Sequence, residues 1–169
     1  MSARDIKIEK VTLNIGAGKS TDKLEKGLRL LKIISEGNPV KTITKKRIPT
    51  WGLRPGLPIG CKITLRKDKA KSVLKRLLEA NDFEMDEGQF DENGNIAFGV
   101  KEYINIPGVN YNPEIEIMGL QCCVTLERAG FRIKKRKKAR RKLPKKQRIV
   151  KDEAINFMKK EFGIKLREK

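Results

Sequence analysis

The sequence contains no histidine. That removes the commonest general base near neutral pH and the commonest metal ligand together. Cysteine is scarce as well. Cys61, Cys122 and Cys123 make an odd number without regular spacing, which excludes a disulfide framework and fits a reducing compartment. Cys122 and Cys123 are adjacent, so on a strand they point to opposite faces and cannot share one zinc ion. No metal and no cofactor is expected, and the thiols read as small buried hydrophobes. Aromatic residues make up only 5% of the chain, and Trp51 is the single tryptophan. Long apolar runs are missing: the longest, Ile96–Phe98 and Cys122–Val124, stop at three residues. No segment can therefore span a bilayer as a helix. The opening Met1-Ser2-Ala3-Arg4-Asp5 has neither an apolar signal region nor a myristoylation glycine. The expected location is the cytoplasm.

Acidic residues are the remaining shortage. The 169 residues hold 21 Asp and Glu against 40 Lys and Arg, a formal charge of +19. Self-repulsion on that scale opposes compaction unless a polyanion neutralises it. Nucleic acid is the commonest polyanion, and an anionic membrane surface is the alternative. Residues 132–148 contain twelve of the cations and no acid, so the rest of the chain carries +7. An amphipathic helix follows this stretch, which therefore reads as an internal arm rather than a tail or targeting signal. Laid along a phosphate backbone it would release counterions and give affinity independent of sequence. Its candidate contacts are Arg132, Lys134, Lys135, Arg136, Arg140 and Arg141.

Hydrophobic periodicity organises the rest of the chain. Ile6 and Ile8, then Val11, Leu13 and Ile15, alternate as a strand. Gly16-Ala17-Gly18 turns the chain, Ser20 is a candidate N-cap, and Leu24, Leu28, Leu31 and Ile34 follow at helical spacing as far as Gly37. Residues 40–44 read as a short strand and residues 45–58, with three prolines and two glycines, as a long irregular loop. Ile59, Cys61, Ile63 and Leu65 alternate again. Asp68 is placed to cap a helix burying Ala70, Val73, Leu74, Leu77 and Leu78. Asn93-Gly94 marks a tight turn, strands are expected near 96–106 and 115–128, and a last helix near 152–162 turns Ile155, Met158 and Phe162 inward. The expected fold is α+β: a two-layer domain over residues 1–169, with a mostly antiparallel sheet and helices packed on one face.

Two surface features accompany the arm. Lys45, Lys46, Arg47 and Arg54 flank Trp51 in the long loop. Cations beside an exposed ring suit RNA, and residue types alone leave equally open whether Trp51 folds back onto the core. Residues 79–92 hold seven acids, among them Glu84, Asp86 and Glu87, and no base. A solvated face is the simpler reading of that block, and a surface for a basic protein partner the sharper one.

Two chemical signals lead nowhere. Gly16-Ala17-Gly18-Lys19-Ser20 looks like the end of a phosphate-binding loop, but the position five residues before Gly18, where such a loop needs its first glycine, is Leu13. Glu114 and Glu116 are placed to point the same way on a strand, yet paired carboxylates alone are a weak sign of acid–base catalysis. An enzyme is not expected.

Several strings together resemble one family. Ile8-Glu9-Lys10-Val11-Thr12-Leu13-Asn14-Ile15-Gly16-Ala17-Gly18 resembles the opening strand of the ribosomal large-subunit protein five family, and Pro58-Ile59-Gly60-Cys61-Lys62-Ile63-Thr64-Leu65-Arg66 is similar to the strand after its long loop. Ile104-Asn105-Ile106-Pro107, Tyr111 and Gly119-Leu120 resemble its later strands. The order is kept over nearly the whole chain, which looks archaeal in type because it lacks a helical N-terminal extension and carries the arm with its closing helix. The resemblance implies a structural protein of the central protuberance that binds 5S rRNA, alongside large-subunit rRNA and other ribosomal proteins. The family's rRNA contacts would fall on Asn14, Asn38 and Thr64, with Asn38 standing where bacterial members carry glutamine. It further implies that loop 45–58 reaches P-site tRNA and that another surface touches a small-subunit protein, for which the acidic block is the physically reasonable candidate. No membrane partner is implied.

Overall fold

In the computed structural model, residues 5–167 are described. The central element is β1 (Ile6–Gly16), which pairs antiparallel with β3 (Pro58–Leu65) on one side and with β6 (Leu120–Arg128) on the other. The edges are β2 (Val40–Ile43), beside β3, and β5 (Ile96–Val100), beside β6, giving the order β2-β3-β1-β6-β5.

The apolar pattern of β1 changes phase, from Ile6 and Ile8 to Val11, Leu13 and Ile15, and the register shows why. Ile8 stands opposite Leu126 but Lys10 opposite Thr125, so Glu9 is the extra residue of a β-bulge. A one-residue slip would otherwise send half of the strand's apolar set to the wrong face. With the bulge, both halves face the helices.

Three helices cover that face. In α1 (Thr21–Ser35) Ser20 caps the start, its hydroxyl accepting from the Lys23 amide at 3.3 Å, and Glu36 ends it in a left-handed conformation. Its buried side is Leu24, Gly27, Leu30, Leu31 and Ile34. Gly27 lets the helix approach β3 closely, since an added Cβ would stand 3.0 Å from Cys61 Sγ. In α2 (Lys67–Glu79) the expected stripe of Ala70, Val73, Leu74, Leu77 and Leu78 is buried. Each fully buried Leu stabilises the layer by about 1.5–3 kcal/mol. In α3 (Lys151–Phe162) Ala154, Ile155 and Met158 are buried and Phe162 half-buried, and the Glu153 carboxylate accepts from the Val150 amide at 3.1 Å. A parallel two-residue pairing of β4 (Glu84–Met85) with β7 (Lys165–Leu166) ties the chain end to the far side of α2.

Four expectations need correction. Residues 45–58 are not irregular: Ile48 and Leu53 exchange backbone hydrogen bonds at 3.0 Å across a 3-10 turn at Pro49–Trp51, and Thr44 closes the base against Gly56 and Leu57. The strands end sooner than the apolar content suggests, β5 at Val100 and β6 beginning only at Leu120, because Pro107, Gly108 and Pro113 break the segment between them. Glu114 and Glu116 therefore lie on a loop, where they pair with Arg29 and Lys26 of α1. Asp68 sits in the first turn of α2, and the N-cap is Arg66, without a side-chain cap.

Candidate nucleic-acid interface

Among the described residues, no helix lies on the second face of the large sheet. Alternation assigns to it Lys10, Thr12, Asn14 and Gly16 from β1, Gly60, Lys62 and Thr64 from β3, and Gln121, Cys123 and Thr125 from β6. Val40 and Thr42 of β2 and Ala97 and Gly99 of β5 complete it. The same alternation carries Glu127 of β6 onto this face opposite Lys7, at the end nearest the basic arm. Away from that end the side chains are amides, hydroxyls, small residues and lysines, a set that donates and accepts hydrogen bonds without repelling phosphate.

Two of the residues expected to position rRNA, Asn14 and Thr64, lie together on this face. Thr12 stands opposite Thr64 and Asn14 opposite Lys62, so Asn14 and Thr64 are diagonal neighbours on adjacent strands. Val40 stands opposite Lys62, and Asn38 is exposed two residues before β2, outside the paired register. Beside Asn14 a shallow depression of about 540 Å³ reaches Gln121 across Gly16, Gly99 and Gly119. Gly119 is required by its surroundings: a Cβ there would lie 2.8 Å from the Lys101 carbonyl oxygen. Gly60 has the same constraint, 2.6 Å from the Ile15 carbonyl oxygen, so both positions keep the backbone bare for a close approach.

The basic arm begins at one end of this face. Its first turn, Phe131–Lys134, is 3-10 helix, and Lys135 then pairs with Glu9 at the bulge of β1 and, at 3.8 Å, with Glu127 of β6. Burial would raise the Glu9 carboxyl, but the hydrogen bond and charge of Lys135, helped by Arg66 at 3.3 Å and by Lys10, outweigh it and hold the group below its ordinary value. The far end is fastened too. Gln147 Nε2 donates to the Ala129 carbonyl at 3.2 Å, and Arg128 donates to the Arg148 carbonyl while pairing with Glu153 at 2.7 Å. The segment is thus a closed Ω-shaped loop rather than a free arm. Lys134 lies 4.7 Å over the Phe131 ring and Arg136 Nε donates to the Ala139 carbonyl, so these two cations, like Lys135, are partly engaged within the fold. Arg132, Arg140 and Arg141 remain exposed.

The hairpin projecting from β2 and β3 presents Lys45, Lys46, Arg47, Trp51 and Arg54 to solvent. Trp51 is 66% exposed at its tip, while Leu53 is buried beneath. The structure thereby answers what residue types left open: the ring does not fold onto the core. Gly52, at φ 59°, leaves room for the Lys19 stem, whose Cε would otherwise lie 2.6 Å from a Cβ. The acidic block lies apart. Glu84 pairs with Arg167 at 2.9 Å and Glu87 with Lys151 at 2.7 Å, while Asp86 is exposed between them.

Comparison with known proteins fits this layout. Residues 2–54 match the sequence profile of ribosomal protein L5, and residues 58–157 match that of the same family's C-terminus. The chain is 47% identical to large ribosomal subunit protein uL5 of Nanoarchaeum equitans over 96% of each chain. It is 42% identical to that of Sulfolobus acidocaldarius, over 98% of this chain and 93% of the relative, and 41% identical to that of Methanoregula boonei, over 97% and 99%. The chain belongs to the uL5 family.

A uL5 protein is a structural constituent of the large ribosomal subunit, with a cytoplasmic, ribosomal location, and not an enzyme. Its partners are rRNA and ribosomal proteins. The loop after β1 agrees with that. Ala17 and Gly18 both spend their amides on the Ile59 carbonyl, at 2.9 and 3.0 Å, so they cannot cradle a phosphate. Among the described residues no cluster of metal-ligating side chains exists, and no helix is long and apolar enough to cross a membrane.

Sequence reasoning overlooked Lys10, Lys62 and Gln121. A period-two reading outward from Asn14 and Thr64 would have found the first two, but Gln121 needed the β1–β6 register. Cys123 was expected to be buried; it is exposed on the open face opposite Thr12, unlike Cys61 and Cys122.

Proposed function

We propose that this uL5 protein binds 5S rRNA on the open face of its sheet and helps to attach it in the central protuberance. The observation that carries the reading is the diagonal placement of Asn14 and Thr64, with Asn38 just before β2, on the sheet face away from the helices, which adjoins the basic loop through the ion pairs of Lys135 with Glu9 and Glu127. Amides and hydroxyls there can meet ribose 2′-hydroxyls and base edges, while Arg132, Arg140 and Arg141 supply phosphate contacts. The hairpin at 44–57 presents Trp51 and its four cations to P-site tRNA. The surface at Glu84, Asp86 and Glu87 faces a basic small-subunit protein across the subunit interface.

Replacing Asn14, Asn38 and Thr64 together by alanine tests the assignment. At about 1 kcal/mol per lost hydrogen bond, the triple variant binds 5S rRNA weaker by roughly 3 kcal/mol, while its affinity for a scrambled RNA is unchanged. Undiminished affinity for folded 5S rRNA sinks the site.

A further inference from the structure

The Ω-shaped basic loop does more than line up charges. Beneath it lies a cavity of about 260 Å³. Its apolar wall is Phe131, Leu143 and Ile149, and its rim carries Lys134, Lys142 and Arg148. Asn93, from the tight turn before β5, closes the remaining side. No carboxylate lines it.

Ligand pockets for whole small molecules run from about 300 Å³ upward. This one is smaller, with room for one planar ring system and little else. A cation rim over an apolar wall matches a nucleotide, whose base is flat and whose phosphates are anionic, better than any fully polar anion. Paired RNA alone cannot use such a cavity, because its bases are stacked inside the helix; an unpaired, extruded base can. Asn93 offers what a base edge needs, an amide that both donates and accepts, and it is the Asn93 backbone N–H that donates to Asp91, at 2.8 Å. The turn is also built to hold it there: Asp91 accepts from the Asn95 amide at 2.7 Å, and Gly94 adopts φ 73° against Ile149.

The geometry points to a receptor for a single extruded rRNA base in this cavity, held by apolar contact with Leu143 and the edges of Phe131 and Ile149 while the rim cations take the flanking phosphates. The inference rests on the reading that the basic loop lies against rRNA, and it adds that the loop recognises an unpaired base rather than phosphate alone. Base–side-chain contacts of this kind give selectivity for unpaired nucleotides without demanding one sequence.

The test uses the full chain and three short RNA hairpins: one fully paired, one with a single bulged adenosine, and one with an abasic residue at the bulge. The abasic hairpin keeps the bend and the phosphates while removing the base. The wild-type protein is expected to bind the adenosine bulge at least tenfold tighter than the abasic one, about 1.4 kcal/mol. Leu143→Trp, at a half-buried position on the cavity wall, fills the space and is expected to bring that ratio to about one. Asn93→Ala, on the exposed turn, is a gentler variant expected to lower the ratio without disturbing the fold. Lys138→Gln, on the exposed part of the loop, weakens all three hairpins alike. Equal binding of the adenosine and abasic bulges by the wild type overturns the receptor. If Lys138→Gln still weakens binding in that case, the phosphate-contact reading of the loop survives. If it has no effect on any hairpin, that reading falls too.

Discussion

Replacing Glu9 by glutamine should loosen the basic loop and lower stability together. Glu9 occupies the bulge of β1 with its side chain 6% exposed, and both of its cationic partners come from elsewhere in the chain. Lys135 and Arg66 are 44% and 58% exposed, so solvent screening limits each pair to about 0.5–1 kcal/mol. Glutamine keeps the volume but not the charge, so the expected loss at pH 7 is roughly 1–2 kcal/mol. With a urea slope of about 2 kcal/mol per molar, the midpoint falls by roughly half to one molar. The pH dependence gives a second check. The Glu9 carboxyl is held below its ordinary value, so its contribution is present above the unfolded value of about 4.3 and is lost as pH falls through the lower folded value. The gap between wild type and Glu9→Gln should therefore close on acidification below about pH 4. Urea titrations monitored by circular dichroism at pH 7 and at pH 3 measure both. Equal midpoints at pH 7, or a gap that persists in acid, refute the anchoring role.

Other outcomes follow from single positions. Gly94→Ala places a methyl 2.6 Å from Ile149 Cγ2 in a backbone with φ 73°, and calorimetry should show a loss of about 1–3 kcal/mol; an unchanged transition contradicts the packing of the turn under the loop. Cys123 should be the one thiol that reacts quickly with an aromatic disulfide, because burial inhibits Cys122 and pushes the Cys61 thiol up to about 11. Bound 5S rRNA should slow that reaction, and unaltered kinetics would put the RNA on another face. In the free protein the Ile48 and Leu53 amides should exchange slowly with deuterium, since each is hydrogen-bonded across the hairpin; exchange at the open-chain rate would dissolve it. Trp51→Ala should change stability by less than about 0.5 kcal/mol yet weaken tRNA retention by ribosomes carrying it, and normal retention would remove the ring from that contact.

The sheet was readable because its strands are half-buried. Val11, Leu13 and Ile15 alternate with Thr12 and Asn14, and the same period identifies β3 and β6. Even the bulge was written in the chain, as a change of apolar phase around Glu9, though recognising it needed the partner strand. The hairpin at 44–57 was hidden because prolines and glycines signal turns without saying that Thr44, Ile48 and Leu53 would bond across them. The basic loop was hidden for a different reason. Charge composition announces a polyanion partner, but the shape of the loop depends on Glu9, far back in β1, and on Arg128 and Ala129 at its start meeting Arg148 and Gln147 at its far end. Asn14 and Thr64 were named through a family resemblance, and only strand register brought them together.

Selection of one RNA by the open face is the central test. Titrating the purified protein with 5S rRNA and with a scrambled RNA of equal length, over a series of salt concentrations, asks this directly. The basic loop gives both RNAs some affinity and a steep salt dependence. The account requires 5S rRNA to hold an advantage of at least a hundredfold, about 2.7 kcal/mol, that persists as salt rises and the phosphate contribution fades. Equal affinities that collapse together with salt would show a polycation without a reading surface, and would contradict it.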